Sequence, residues 1–125
     1  MGQPVEISAR GTGAVPVTIA AGQSLSPEVD TAGFPLASLA VPPNFTGTQI
    51  SFQAAERSGG TFQNVRDATG AEVVINVAAS RIVAVGATTT LAYLRFLKIR
   101  SGTAAAPTTQ AQAVQLLVLR TQGAR

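Results

Sequence analysis

Residues 48–55 read Thr-Gln-Ile-Ser-Phe-Gln-Ala-Ala, and apolar and polar side chains alternate along them. One face of an extended chain would carry the apolar members, Ile50, Phe52 and Ala54. The other face would carry the polar members, Gln49, Ser51 and Gln53. Because successive side chains of a strand point to opposite faces, and an antiparallel sheet often has one buried and one wet face, this stretch predicts a half-buried β-strand.

Further segments with strand patterns follow at short intervals, separated by turn residues. The predicted strands are 15–20, 37–41, 48–55, 61–66, 72–77, 81–85, 94–100 and 114–121. Pro16 lacks a backbone N–H, so it predicts an edge position or a strand start for the first of them. Apolar residues do not recur at helical spacing over three turns, and the only predicted helical feature is one turn near Thr89–Tyr93.

About eight strands without a long helix predict an all-β fold. Parallel sheets need crossover helices, so the strands should pair antiparallel. We expect an antiparallel β-sandwich, with a jelly roll and a galactose-binding-like sandwich as the two options. Residues 1–14 are assigned to an extended N-terminal arm, 15–121 to a single β-sandwich domain, and 122–125 to a C-terminal tail.

Two connecting segments have distinctive compositions. Asp67-Ala68-Thr69-Gly70 suits a type I turn, since Asp favours its first position and Gly its fourth, and this predicts a hairpin between 61–66 and 72–77. Residues 101–113 form a long loop of small residues, and loops of that length tend to be functional or mobile.

The composition indicates a folded domain with few surface charges. Hydrophobic residues make up 46% of the chain and charged residues 12%, which is far from the profile of a disordered protein. A solitary soluble domain normally carries more charge, so this scarcity favours a protein whose faces are partly covered by neighbours. The net charge is +3, but the arginines are scattered along the chain, which argues against nucleic-acid binding.

Several kinds of chemistry lack their usual residues. The chain has no His and no Cys, which removes the usual general base near neutral pH and the soft metal ligands. Gly11-Thr12-Gly13 lacks the later residues of a phosphate-binding loop. We therefore predict no enzymatic activity and no cofactor. The longest uncharged stretches, such as 31–55, are broken by prolines and rich in hydroxyl groups, so we also predict no membrane span. Two acidic pairs, Glu28 with Asp30 and Asp67 with Glu72, leave calcium binding open, although scattered solvated acids are the commoner explanation.

The segment Arg95-Phe96-Leu97-Lys98-Ile99-Arg100 predicts a strand with two unlike faces. Leu97 and Ile99 should face the core. The opposite face, Phe96, Lys98 and Arg100, is both basic and apolar. A solvated face with long side-chain stems lying along it is the commoner explanation, and a contact patch for a partner protein is the alternative. In the N-terminal arm the candidate contact residues are Val5, Ile7 and Arg10, which would become ordered on docking.

The chain resembles a class of small structural proteins of tailed bacteriophages. The segments that carry the resemblance are Ser51-Phe52-Gln53-Ala54, Gly59-Gly60-Thr61-Phe62-Gln63-Asn64-Val65, Asp67-Ala68-Thr69-Gly70, and the run from Tyr93 to Thr103. The nearest members are the cement or decoration proteins of capsids, built on a jelly roll or a related sandwich, and the similarity covers roughly residues 15 to 121.

The resemblance implies a function and its partners. It implies a homo-oligomer made in the host cytoplasm and located in the virion, which stabilises the capsid by binding the major capsid protein or other virion proteins. A head–tail or tail accessory protein is an alternative. The pattern is also similar to galactose-binding-like modules, which leaves a carbohydrate-binding module of a tail or fibre as a further alternative.

Overall fold

A computed structural model describes residues 12–31, 36–85 and 94–121 of the chain. Within these ranges the regular structure is β throughout, which confirms the predicted all-β class. The nine strands are β1 (Thr12–Ile19), β2 (Val29–Asp30), β3 (Leu36–Ala40), β4 (Gln49–Ala55), β5 (Gln63–Asn64), β6 (Val74–Asn76), β7 (Ile82–Ala84), β8 (Phe96–Ser101) and β9 (Val114–Thr121). The predicted helical turn near Thr89–Tyr93 and the C-terminal tail lie outside the described residues.

The strands form two antiparallel sheets. The first sheet has the order β1-β9-β3-β7, and the second has the order β2-β8-β4-β5, with β6 also paired to β4. The pairs are nested along the chain: β1 with β9, β2 with β8, β3 with β7, and β4 with β5 and β6. When β5 and β6 are counted as one interrupted strand, this is the eight-stranded order of a jelly roll, one of the two predicted options.

One hydrophobic core lies between the inner faces of the two sheets. The first sheet contributes Val17, Ile19, Leu39, Val114, Leu116 and Val118 to it. The second sheet contributes Val29, Ile50, Phe52, Leu97 and Ile99. The predicted inward faces of 48–55 and 94–100 are therefore confirmed for their large apolar side chains, Ile50, Phe52, Leu97 and Ile99. Ser51 departs from the prediction, because it is fully buried on the outward face of β4 rather than exposed to solvent.

Most strand limits differ from the predictions by one or two residues, but one difference changes the domain assignment and one strand was not predicted at all. β1 begins at Thr12, so residues 12–14 pair with β9 and belong to the sheet. The prediction that assigned them to the arm was wrong. Pro16 lies in this strand, which is an edge of the first sheet, as predicted. The two-residue strand β2 was not predicted, because Val29-Asp30 is too short to show a period and is held by pairing with β8.

The predicted hairpin around Asp67 is present, but its flanks pair differently. Gly70 N donates to Asp67 O over 2.9 Å and Gly70 has φ of +89°, as the turn requires. The predicted flanking strands, 61–66 and 72–77, meet each other only near the turn, through Arg66 and Glu72 and a Val73-to-Val65 backbone hydrogen bond. Beyond that, β5 and β6 both pair with β4, so residues 65–73 form a hairpin excursion that interrupts one edge strand.

The long loop after β8 is held by its own residues rather than being loose. Gln110 is fully buried, and its side-chain amide bonds both the N–H and the carbonyl of Thr46, at 2.9 and 2.7 Å. Its backbone bonds Gln23 O and Gly22 N, each at 2.9 Å. This side chain and backbone join three loops at one end of the sandwich, so the loop is a structural element.

Candidate functional site

The outward face of the first sheet carries no charge among the side chains that the structure describes. Alternation from the buried residues of β1, β3, β7 and β9 places the outward positions. These residues are Pro16, Thr18, Ser38, Ala40, Ile82, Ala84 and Gln115. Ile82 is 76% exposed and is the largest apolar side chain that the structure describes on this face. Removing an uncharged face from water costs little free energy, because no ion loses its hydration.

The outward face of the second sheet is different in chemistry. It carries charged side chains from two neighbouring strands, Asp30 from β2 and Lys98 and Arg100 from β8. Glu28 precedes β2 on the same side, and Arg95 forms a salt bridge with Asp30 over 2.9 Å. Docking a partner on this face would require these charges to be desolvated or matched.

Arg100, predicted as a contact residue, is engaged inside the protein and is only 6% exposed. Its Nη2 lies 2.9 Å from Glu72 Oε2, its Nε donates to Ser51 Oγ over 2.9 Å, and its Nη1 donates to Asn64 Oδ1 over 3.0 Å. Glu72 also accepts a hydrogen bond from Ala104 N. The prediction placed Arg100 on the correct face, but its role is structural: it joins β4, β5, the hairpin excursion and the loop after β8.

Phe96 and Lys98, the other two predicted contact residues of β8, are half-buried. The Lys98 ammonium lies 4.6 Å from the centre of the Phe62 ring, and the Arg95 guanidinium lies 5.0 Å from the centre of the Phe96 ring. Both are cation–π distances, so each ring already has a cationic neighbour in the free protein. The two side chains remain available to a partner only in part.

A segment that we call the strap, residues 56–62, folds over this second face. Glu28 accepts hydrogen bonds from Ser58 Oγ over 2.6 Å and Gly59 N over 2.8 Å. These bonds lower the pKa of the Glu28 carboxyl, with the Gly59 N–H as the largest cause and the Ser58 hydroxyl next. Glu28 lies beside β2 at one edge of the sheet, whereas the strap joins β4 to β5 at the other, so the strap spans the intervening β8.

Next to the strap lies an open depression of about 660 Å³. The apolar members of its lining are Ala54 and Ala55 from β4 and Leu94 before β8. The polar members of its lining are Glu56, Arg57, Thr61, Gln63 and Arg95. This lining offers more hydrogen-bond donors than acceptors, because each of the two arginines carries five N–H donors and no acceptor, and it has no aromatic side chain.

The four carboxylates of the suggested calcium pairs all accept hydrogen bonds from the protein. Glu28 is held by the strap, Asp30 by Arg95, and Glu72 by Arg100. Asp67 accepts from the Thr69 hydroxyl, Thr69 N and Ala71 N, which lower its pKa, the hydroxyl most. In the described ranges, no three acidic residues gather to form a metal site, and no helix is long and apolar enough to span a membrane.

The uncharged face was not predicted from the sequence. Its signal is present in the sequence, because 15–20, 37–41 and 114–119 contain no Asp, Glu, Lys or Arg. What the sequence does not show is that these segments pair in one sheet, since their partners are distant along the chain. The predicted arm contacts Val5, Ile7 and Arg10 lie outside the described residues.

Comparison of the chain with protein-family models, with curated proteins and with solved structures finds no match. The assignment to phage structural proteins therefore stays a prediction from the sequence.

Proposed function

We propose that this chain is a structural protein of a bacteriophage virion, most specifically a capsid cement protein that stabilises the shell by packing on the major capsid protein. The observation that carries the proposal is the uncharged outward face of the first sheet. Interfaces are depleted of charged residues at their centres, and this face has that property before any partner binds.

The fold gives weaker support. The sequence resemblance predicts a jelly roll or a related sandwich, and the strand order is that of a jelly roll. Viral capsid and lectin domains both use this architecture, so the support is an analogy of fold rather than of site.

The mechanism is added buried surface repeated over a lattice. A standard interface buries about 800 Å² on each partner. Contacts of moderate strength, each linking two or more shell subunits, combine through effective concentration, so no single contact must be strong. Because the sandwich is held together by its own core, its docking face is already folded before it binds each site on the shell.

A charge placed on the uncharged face tests this docking. Gln115→Arg introduces a cation at an exposed position of β9, and we expect about tenfold or weaker binding to particles assembled without the protein, measured by cosedimentation. Asn76→Arg is the matched control, since Asn76 is exposed on β6 of the second sheet. Equal binding by the two variants would show that the first sheet is not the docking face.

Deletion of residues 2–11 tests the arm that carries Val5, Ile7 and Arg10. Since β1 begins at Thr12, this deletion leaves every described strand intact, and the thermal midpoint should not change. Binding to the particles should weaken, because the deleted segment carries the three candidate contact residues. Unchanged binding would remove the arm from the proposal.

The copy number in purified virions separates cementing from the head–tail alternative. A shell protein should be present in on the order of hundreds of copies, and a neck or tail component in about a dozen or fewer, as their symmetries require. Quantitative mass spectrometry against a labelled standard gives this number.

Carbohydrate binding is a second candidate, favoured by the depression beside the strap. Its hydrogen-bonding side chains and its apolar lining residues suit the hydroxyl groups and flat faces of a sugar. A glycan array should then show saturable binding that Thr61→Arg abolishes, because the longer side chain would fill the depression. An array without signal would exclude this candidate for the glycans tested.

A further inference from the structure

The four edges of the two sheets are not equally protected against pairing with another strand. β1 contains Pro16, β2 has only two residues, and the β5–β6 edge is interrupted by the excursion 65–73. Proline, short length and irregularity are the devices that prevent a sheet edge from accepting another strand. Each of these three edges therefore has one.

The β7 edge is also short, with three residues, but unlike β2 it carries no charged side chain and its exposed chemistry is apolar. Within the described residues β7 pairs with β3 alone. Its three residues, Ile82, Val83 and Ala84, carry no charge and include no proline. Ile82 is 76% exposed, and it is the only large hydrophobic side chain so exposed in the described part of the chain.

We propose that β7 is a self-association edge, at which two copies of this chain pair antiparallel, β7 against β7, about a two-fold axis. The occupant is a second copy because the strand is complementary to itself. This contact goes beyond the proposed function, and it forms or fails without any virion partner.

The complementarity follows from the register. A two-fold axis through Val83 sets each Val83 opposite its counterpart, and sets Ile82 of each copy opposite Ala84 of the other. Ile82 and Ala84 share the outward face, since the buried Leu39 pairs with Val83 between them. Each exposed isoleucine therefore lies against a small side chain, which leaves room for it in both halves of the contact.

The charges nearest to β7 do not oppose this pairing. Arg81 precedes the strand, and the same register places it opposite Val85 of the other copy rather than opposite the second Arg81. The two guanidinium groups then lie at opposite ends of the contact. The paired copies would form one eight-stranded sheet, and its outward face would continue the uncharged face from one copy to the next.

Three residues a side give a small interface, well under the 1,200 Å² or so of a stable dimer. We therefore expect a weak association, with a dissociation constant on the order of 100 µM to 1 mM, which becomes significant when copies lie side by side on a surface.

Sedimentation equilibrium of the full chain alone, from about 10 µM to 2 mM, tests the pairing. The weight-average mass should rise with concentration from 12.7 kDa toward twice that value. Ile82→Lys should weaken the association about tenfold or more, since two apolar contacts are lost. Thr18→Lys, an exposed position on the opposite edge strand, should leave it unchanged. A single 12.7 kDa species throughout, or equal loss in both variants, would overturn the proposal.

Crosslinking tests the register in the same protein. The chain has no cysteine, so Ala84→Cys provides a single reactive thiol. In the proposed register the two Ala84 residues are diagonal neighbours, about 7–8 Å apart, within the span of a short bismaleimide. A crosslinked dimer with Ala84→Cys and none with Thr18→Cys is expected. The reverse pattern would place the contact at the other edge.

Discussion

Arg100 connects more of the molecule than any other charged side chain whose contacts are described. Its guanidinium bonds Ser51, Asn64 and Glu72, and its side chain is 7% exposed. Arg100→Met should destabilise the protein by roughly 3–5 kcal/mol, because Glu72 would remain largely buried without its cation. Urea unfolding measures the change.

Arg95→Met provides the control for that substitution. The Arg95–Asp30 pair is about half exposed, with side-chain exposures of 57% and 47%, and exposed ion pairs contribute little to stability. Comparable losses in the two variants would contradict the structural role of Arg100.

The stability of the protein depends on Gly102 for two reasons, its positive φ and the lack of space for a side chain. A comparison with Gly70 distinguishes the two. Both Gly102 and Gly70 have positive φ, +88° and +89°, so alanine at either should cost about 1–2 kcal/mol of backbone strain. At Gly102 a Cβ would also lie 2.5 Å from Ala106 O and 2.6 Å from Thr108 N, whereas at Gly70 it would meet nothing within 4 Å. Gly102→Ala should therefore lose roughly 1–3 kcal/mol more than Gly70→Ala in the free energy of unfolding.

Asp67 makes the stability of its turn depend on pH. The Thr69 hydroxyl and the N–H groups of Ala71 and Thr69 lower its pKa below the ordinary 3.8. Since the folded pKa is the lower one, the stabilisation is complete above the ordinary value and is lost as the pH falls through the folded value. The stability difference between the wild type and Asp67→Ala should shrink over that acidic range in urea titrations. A difference that does not change with pH would contradict this assignment.

At the scale of the element, the loop after β8 depends on one side chain. Gln110→Leu would remove the two hydrogen bonds to the N–H and carbonyl of Thr46, at a cost of about 0.5–1.5 kcal/mol for each. Faster amide hydrogen exchange should follow in residues 102–113 and near Thr46. Gln112→Leu is the control, since Gln112 is exposed and forms only a long, 3.4 Å hydrogen bond with Asn44.

Elements with strong local signals could be predicted, and elements defined by distant pairing could not. The alternation in β4 and β8 identified both strands and the inward positions of Ile50, Phe52, Leu97 and Ile99. β2 is a strand only because β8 lies beside it, and Ser51 is buried because Arg100 and Gly102 O bind its hydroxyl. Neither fact has a signal in the neighbouring sequence.

The candidate docking face shows the same limit at the scale of the whole molecule. Period-two patterns and turn residues were sufficient to predict an antiparallel sandwich. They did not distinguish a jelly roll from a galactose-binding-like topology. The uncharged face required knowing that β1, β9, β3 and β7 are neighbours, and these strands are separated by long stretches of sequence. For the same reason, the sequence could place Phe96, Lys98 and Arg100 on one face but could not show that Arg100 is enclosed by the excursion.

Nested pairing also predicts slow folding of the whole molecule. β1 pairs with β9, so the outermost pair joins the two ends of the described chain. Proteins dominated by distant pairings fold in milliseconds to seconds. Stopped-flow refolding should give a rate in that range, and refolding within microseconds would contradict the nested order.

The excursion 65–73 is also a segment whose length can change without disturbing the two sheets. Asn64 lies opposite Gln53 and Val74 lies opposite Ser51, so a continuous strand would need one residue opposite Phe52 where this chain has nine. Insertions and deletions here would preserve the register of both sheets, which makes this tip a natural point for inherited length variation or for grafting a foreign peptide. Glu72 sets the boundary of that freedom, because removing it would leave Arg100 without its carboxylate.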